Sequence, residues 1–271
     1  MRRTLFLLLA ILGLPVIGAP AAGEPEVPPG AVVTWPGEGI ERCGMSGAKW
    51  DPLAGACWYA VDLLAPAGTL ELGRWRGGVL ETRRVRVADY PYAVQHIELA
   101  DDSRVDLSAE DLARVGREND RIGGLWARRG EARFRLPLTA PLERLPEGGR
   151  FGARRFFNGQ PRSPHSGADY AAETGATVLA VADGKVALTG DFFFSGRSVF
   201  LDHGDGLVTM YFHLNRVDVE PGAQVRRGQT IGGVGQSGRA TGPHLHFAAR
   251  WRGARVDPRL LLEPAGVLEI R

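Results

Sequence analysis

Gly242-Pro243-His244-Leu245-His246-Phe247 constrains this chain more than any other stretch. The Gly-Pro pair stops a helix from running into it, and the residues that follow suit an extended strand. Side chains on a strand alternate between faces, so His244 and His246 share one face and Leu245 takes the other. The two imidazoles then stand about 6–7 Å apart at Cβ, within reach of one metal ion or one activated water. The chain holds six histidines. Four of them, His165, His213, His244 and His246, fall in segments that can converge.

A second constellation is Pro164-His165-Ser166-Gly167-Ala168-Asp169-Tyr170. On a straight strand His165 and Asp169 would be about 13 Å apart at Cα, too far to share an ion. Gly167 between them is expected to let the chain turn, so that both point at one ion. Two histidines and one aspartate would leave the fourth tetrahedral position to water, the mark of a catalytic zinc rather than a closed structural one. Zinc there would lower the pKa of that water and polarise a scissile carbonyl. Either His244 or His246 suffices as third ligand, and the other is left for proton handling. His213 ends the run Met210-Tyr211-Phe212-His213 and is expected to accept a proton or to stabilise an oxyanion.

These motifs resemble those of the lysostaphin-like (LytM-type) zinc endopeptidases, which cut peptidoglycan peptides. His165-Ser-Gly-Ala-Asp169, Tyr211-Phe-His213-Leu and Gly242-Pro-His244-Leu-His246 carry the resemblance, which runs from about Phe151 to Asp257. It implies that His165, Asp169 and His246 bind one zinc ion per chain, and that His213 and His244 handle the water and the transition-state charge. It implies a compact antiparallel β domain with the site in a groove. It also implies a peptidoglycan substrate, with the D-Ala–diaminopimelate bond favoured if the host is Gram-negative. The rival on the same fold is a non-catalytic wall-binding or amidase-activating protein. Such a protein is expected to have lost metal ligands, and here every expected site residue is present.

The rest of the chain frames that domain. Arg2 and Arg3, the apolar run Leu5 to Gly18 and Ala19-Pro20-Ala21-Ala22 read as a signal peptide over 1–21. Export to the periplasm or cell envelope, or secretion, is expected, with no stable membrane insertion once the leader is removed. The formal net charge of +2 is accounted for by Arg2 and Arg3, so the basic balance gives no reason to expect a nucleic-acid partner. Behind the leader, 22–107 holds short alternating runs broken by Pro and Gly, which suggest a small β-rich, sandwich-like domain. Cys43 and Cys57, the two cysteines, are expected to pair in an oxidising compartment. A helix with Ser108 as N-cap and a linker occupy 108–137. The stretch Leu136 to Gly149, with its prolines and paired glycines, reads as linker. The metallopeptidase domain takes 138–271, and the fold class is mainly β. The acidic lean of the first half against the basic lean of the second would permit the N-terminal half to dock over the groove.

Other motifs carry less. Gly233-Val234-Gly235-Gln236-Ser237-Gly238 satisfies G-x-G-x-x-G, but a Gly-Pro break and a strand follow where a nucleotide site needs a helix. A serine nucleophile at Ser237 would leave the His-x-His pair idle. Phe192-Phe193-Phe194 fits hairpin packing, while His203 is read as structural and His96 as structural or exposed.

Overall fold

The computed structural model describes residues 23–99, 103 and 105–270. The leader expected over 1–21 lies outside the described residues. Among the described residues no helix is long and apolar enough to cross a membrane. The chain is mainly β.

The first half forms β1 (Glu26–Val27), β2 (Val32–Pro36), β3 (Ile40–Met45), β4 (Ala48–Trp50), β5 (Ala56–Ala60), β6 (Gly68–Arg76) and β7 (Val79–Val87). One sheet runs β1-β7-β6-β3-β4, and β2 pairs with β5 in another. Val33, Trp35, Tyr59, Leu72 and Val85 fill the space between the two sheets. Val32 and Ala60 face the other way, into the core of the second half. Strand β2 is therefore covered on both faces, and Val32 to Trp35 are all buried. Cys43 on β3 and Cys57 on β5 are joined with their Cα atoms 5.5 Å apart. The disulfide thus ties one sheet to the other, and closing a loop of this size adds about 3 kcal/mol in the chain-entropy model.

The chain then leaves the sandwich through β8 (Val94–Ile97) and enters α1 (Ala109–Gly123). Ser108 caps that helix by accepting from the Asp111 amide at 3.1 Å. Its apolar stripe is only partly used. Ile122, with Leu125 and Trp126 just beyond the helix, packs on Phe192, Phe200 and Met210. Leu112 stays exposed, because the helix meets the second half through Arg114, bonded to the Asp191 carbonyl, and through the residues from Glu118 onward.

The second half supplies β9 (Arg154–Phe157), β10 (Gln160–Arg162), β11 (Gly167–Ala171), β12 (Thr177–Leu179), β13 (Gly184–Phe192), β14 (Gly196–Asp202), β15 (Leu207–Val217), β16 (Gln224–Val225), β17 (Thr230–Val234), β18 (His244–Trp251), β19 (Ala254–Val256) and β20 (Leu268–Glu269). Its main sheet has nine strands and runs β11-β18-β15-β14-β13-β16, with β12, β17 and β19 attached. All of these pairings are antiparallel. Tyr170, Tyr211, Leu245, Phe247 and Trp251 are buried in its core. Strand β15 changes partner midway. It pairs with β18 as far as Phe212 and with β17 from Leu214 onward.

The stretch read as linker is laid on this core rather than strung between domains. Leu138 and Leu142 are buried in it, and the Leu138 and Thr139 amides bond to Leu261 and Val181. Its prolines and glycines do exclude regular structure, but the apolar residues between them are buried. Strand pairing also crosses the boundaries drawn from sequence. Strand β8 runs parallel to β9, and β20 runs parallel to β2. Between the halves, Asp62 takes Arg255 at 2.9 and 3.2 Å, and Arg252 donates to the Trp58 carbonyl.

His203 is fully buried beside the β14–β15 turn. Its Nδ1 donates to the Asp183 carbonyl at 2.7 Å, and its Nε2 lies 2.7 Å from the Thr209 hydroxyl. Burial pushes this imidazole down to about 4, so the folded chain refuses a proton that the unfolded chain accepts below about 6.5. Its contribution to stability is complete above about pH 6.5 and is lost as the pH falls towards 4. The denaturation midpoint is expected to fall over that window. His203→Ala should cost about 2–4 kcal/mol at pH 7 and flatten the acid slope; an unchanged slope would contradict the assignment.

Candidate metal centre

Strands β11 and β18 set the site. Their register places Asp169 directly opposite His246, and β15 places Phe212 opposite His246 on the other side. Alternation along β18 turns His244 and His246 to one face and sends Leu245 into the core, where it is fully buried. Asp169 shares the histidine face because cross-strand partners point the same way. The Phe212 ring stacks on His246 at 5.3 Å between centroids and 2° between planes, which fixes the plane of that imidazole.

His165 precedes β11, and its backbone is tied to a different segment. Its amide donates to the Ala153 carbonyl, and its carbonyl accepts from Gly152. Its ring turns back so that Nδ1 donates to the Arg150 carbonyl at 2.9 Å. Gly167 serves another purpose than the expected turn. It sits in regular strand opposite Ala248, and a Cβ there would lie 2.6 Å from His246 Nε2 and 2.6 Å from the Phe247 carbonyl oxygen. Glycine is required for clearance, so that β11 can approach β18 closely enough for Asp169 and His246 to meet.

Three potential ligand atoms converge as a result. His165 Nε2, Asp169 Oδ1 and His246 Nδ1 are each 2.9 Å from the other two. Proton accounting shows what this cluster wants. A carbonyl only accepts, so His165 carries its proton on Nδ1, and burial pushes the ring down to about 4, which leaves it neutral. Burial works against the Asp169 carboxylate, but the hydrogen bonding around it more than offsets that and holds it ionised, below the ordinary range. His165 Nε2 and Asp169 Oδ1 are then two lone-pair acceptors facing each other with no proton between them. A cation removes that conflict. Ligands on a tetrahedral ion with bonds of about 2.0–2.1 Å stand about 3.3 Å apart, so a small outward relaxation accommodates zinc. The donor set fits the group.

A groove of about 470 Å³ lies over the cluster, lined by Asp169, His213 and His244 together with Arg150, Arg155, Phe157 and Arg239. His213 occupies the residue at which β15 changes partners. Its backbone is left-handed, with φ 62°, a conformation that costs a non-glycine residue energy. The Ser237 carbonyl accepts from its Nδ1 at 2.8 Å, and burial pushes the ring down to about 3. His244 is fixed in the same way by the Gly242 carbonyl at 2.8 Å. The two rings lie 4.8 Å apart. Each carbonyl only accepts, so each ring carries a proton on Nδ1, and the neutral His213 offers Nε2 as a lone pair.

The five residues singled out from sequence are thus brought together. Ser237 is not poised as a nucleophile, because its hydroxyl donates to the Leu214 carbonyl and accepts from the Arg197 amide. Its part in the site is the carbonyl that orients His213. Sequence reasoning also missed Arg155, whose Nη2 donates to Asp169 Oδ2 at 2.8 Å, and the stacking of Phe212. Neither carries a sequence signal, since both act across strands far apart in the chain.

Comparisons with known proteins bear on the family. The profile described as Peptidase family M23 matches residues 163–258. Peptidoglycan DD-endopeptidase ShyC of Vibrio cholerae is 35% identical over 148 residues, which cover 54% of this chain and 34% of that protein. DD-carboxypeptidase/endopeptidase Mpg of Neisseria meningitidis is 45% identical over 94 residues, 35% of this chain and 22% of that one. The chain therefore spans about a third or less of the length of these curated relatives. A crystal structure from Pseudomonas aeruginosa assigned to peptidase M23 is 30% identical and superposes with a TM-score of 0.66, over 86% of this chain and 94% of that one. That extent takes in the N-terminal half.

The clearance at Gly167 gives a direct check. In Gly167→Ala the new methyl meets backbone as well as imidazole, so β11 must move away from β18. Affinity for a divalent ion, measured by competition with a chromophoric chelator, is expected to fall about 10–100-fold. Gly149→Ala, where nothing lies within 4 Å, should bind like the parent. Equal affinity in both variants would refute the clearance argument.

Proposed function

The chain belongs to peptidase family M23, and from that premise we propose that it is an exported zinc metalloendopeptidase that hydrolyses the peptide cross-links of peptidoglycan. One observation carries the reading. Three electron-pair donors converge on one point beneath a groove that Asp169 lines, and two further imidazoles, each held at Nδ1 by a backbone carbonyl, line the same groove. The DD-endopeptidase names of the relatives support the D-Ala–diaminopimelate bond as the one cut. A disulfide between Cys43 and Cys57 fits an oxidising compartment such as the periplasm or cell envelope. The complete donor set speaks against a wall-binding or amidase-activating protein on the same fold.

His165 Nε2, Asp169 Oδ1 and His246 Nδ1 would hold the ion. Zinc, when bound, supplies a Lewis acid beside which water loses a proton near neutral pH and a carbonyl is polarised. His213 and His244 do the remaining work. At neutral pH His213 is in its base form, held so by burial, and its Nε2 can take a proton from water in the groove. Once protonated, the same nitrogen can return the proton to the leaving amine. His244 stands beside His213, with Nε2 3.7 Å from Asp169 Oδ1, placed to meet the charge that develops on the scissile group. The Ser237 and Gly242 carbonyls hold both rings by Nδ1 and so fix their orientation in the groove.

Digestion of purified cell walls tests the reading. A chelator should abolish release of peptides, and added zinc should restore it. Mass analysis of the released peptides should show D-Ala–diaminopimelate cleavage. His246→Ala should lose both metal and activity. His213→Ala and His244→Ala should each lower kcat about 10²–10⁴-fold while still binding one zinc per chain. Digestion that persists in chelator would sink the metal mechanism.

A further inference from the structure

A path of polar contacts runs from the N-terminal half to Asp169. Strand β8 pairs with β9 so that Gln95 lies directly opposite Arg155. Gln95 Oε1 accepts from Arg155 Nε at 3.2 Å. At its other end the Arg155 guanidinium donates through Nη2 to Asp169 Oδ2 at 2.8 Å. The guanidinium is a rigid plane, so fixing it at Nε also fixes where Nη2 points. Both side chains of the ion pair are largely shielded, with 18% and 15% of their surface exposed.

The two oxygens of Asp169 are therefore used differently. Oδ1 faces His165 Nε2 and His246 Nδ1, whereas Oδ2 is turned away and held by Arg155. A carboxylate can bind a metal through one oxygen or through both. With Oδ2 committed to a guanidinium, only Oδ1 is presented. One-oxygen ligation leaves a tetrahedral ion its fourth corner, and two-oxygen ligation would occupy that corner.

We propose that Arg155 is a positioning residue that restricts Asp169 to one-oxygen metal ligation, and that Gln95, from the N-terminal half, positions Arg155. The inference rests on the metal reading given under Proposed function. It makes β8 part of the support of the site. The strand is held along its length. Tyr90 bonds to the Gly152 carbonyl before it, His96 stacks on Phe156 at 5.0 Å, and the Leu99 backbone exchanges two hydrogen bonds with Asn158 after it. Its last residue, Ile97, stands in the groove wall.

The test uses the full chain loaded with cobalt(II), whose visible absorption weakens as coordination number rises, together with zinc affinity by chelator competition. Arg155→Met is expected to weaken the cobalt band and to shift zinc affinity about 10–100-fold. Arg155→Lys, which keeps a charge for Oδ2, should retain most of the band. Gln95→Leu should move both readouts in the same direction by less, and should add nothing in the Arg155→Met background, because its effect passes through Arg155. A merely structural Gln95 would add. An Arg155→Met protein with the parent's cobalt band and zinc affinity overturns the inference, as does an additive Gln95→Leu. Parent protein that takes up no cobalt sinks the metal reading itself, and this inference with it.

Discussion

The pairing of β11 with β18 is the constraint on which the rest of the site depends. A strand's side chains change face with every residue, so a register slip of one would send Asp169 to the core side and leave His246 without its partner. The register is held from both faces. On one, Leu245 and Phe247 are locked in the core of the second half; on the other, Gly167 lets the strands close up over His246. Strand β18 is also the bridge to the first half. Beyond it the β18–β19 turn carries Arg252, and β19 carries Arg255, to Trp58 and Asp62.

What could be read from the sequence follows a simple division. Residues whose roles depend on nearby chain were legible. The strand face shared by His244 and His246, the Ser108 cap and the alternating runs of the first half all express local periodicity. The motif resemblance added the order of the site residues. Roles that depend on distant chain were not legible. Gly167 was read as a turn because clearance over His246 has no local signature. The Arg155–Asp169 pair joins β9 to β11 through side chains alone. Leu112 falls on the apolar stripe of α1, yet it stays exposed. The segment from Leu136 to Gly149 looked like a linker because its prolines and glycines outweighed the few apolar residues that anchor it.

The two halves are joined by more than a tether. Strand β20 completes the sheet begun by β2, and β8 flanks β9. Val32 and Ala60 are shared with the second core. Pairings that span most of the chain close large loops before they return any stabilisation, which slows folding but gives a unit whose parts depend on one another. The first half is thus poorly described as an appendage, since it supplies surface to the second core and a wall residue to the groove.

The left-handed backbone at His213 has a consequence for how such a molecule can change. Glycine would occupy that corner without steric penalty, and nearly any other residue would be strained there as histidine is. Given the role proposed for its imidazole, heat tolerance and turnover would pull one codon in opposite directions. On that proposed role, lineages that trade the imidazole for a relaxed corner would gain durability at the expense of the reaction, while those that keep it carry a permanent small debt of conformational energy.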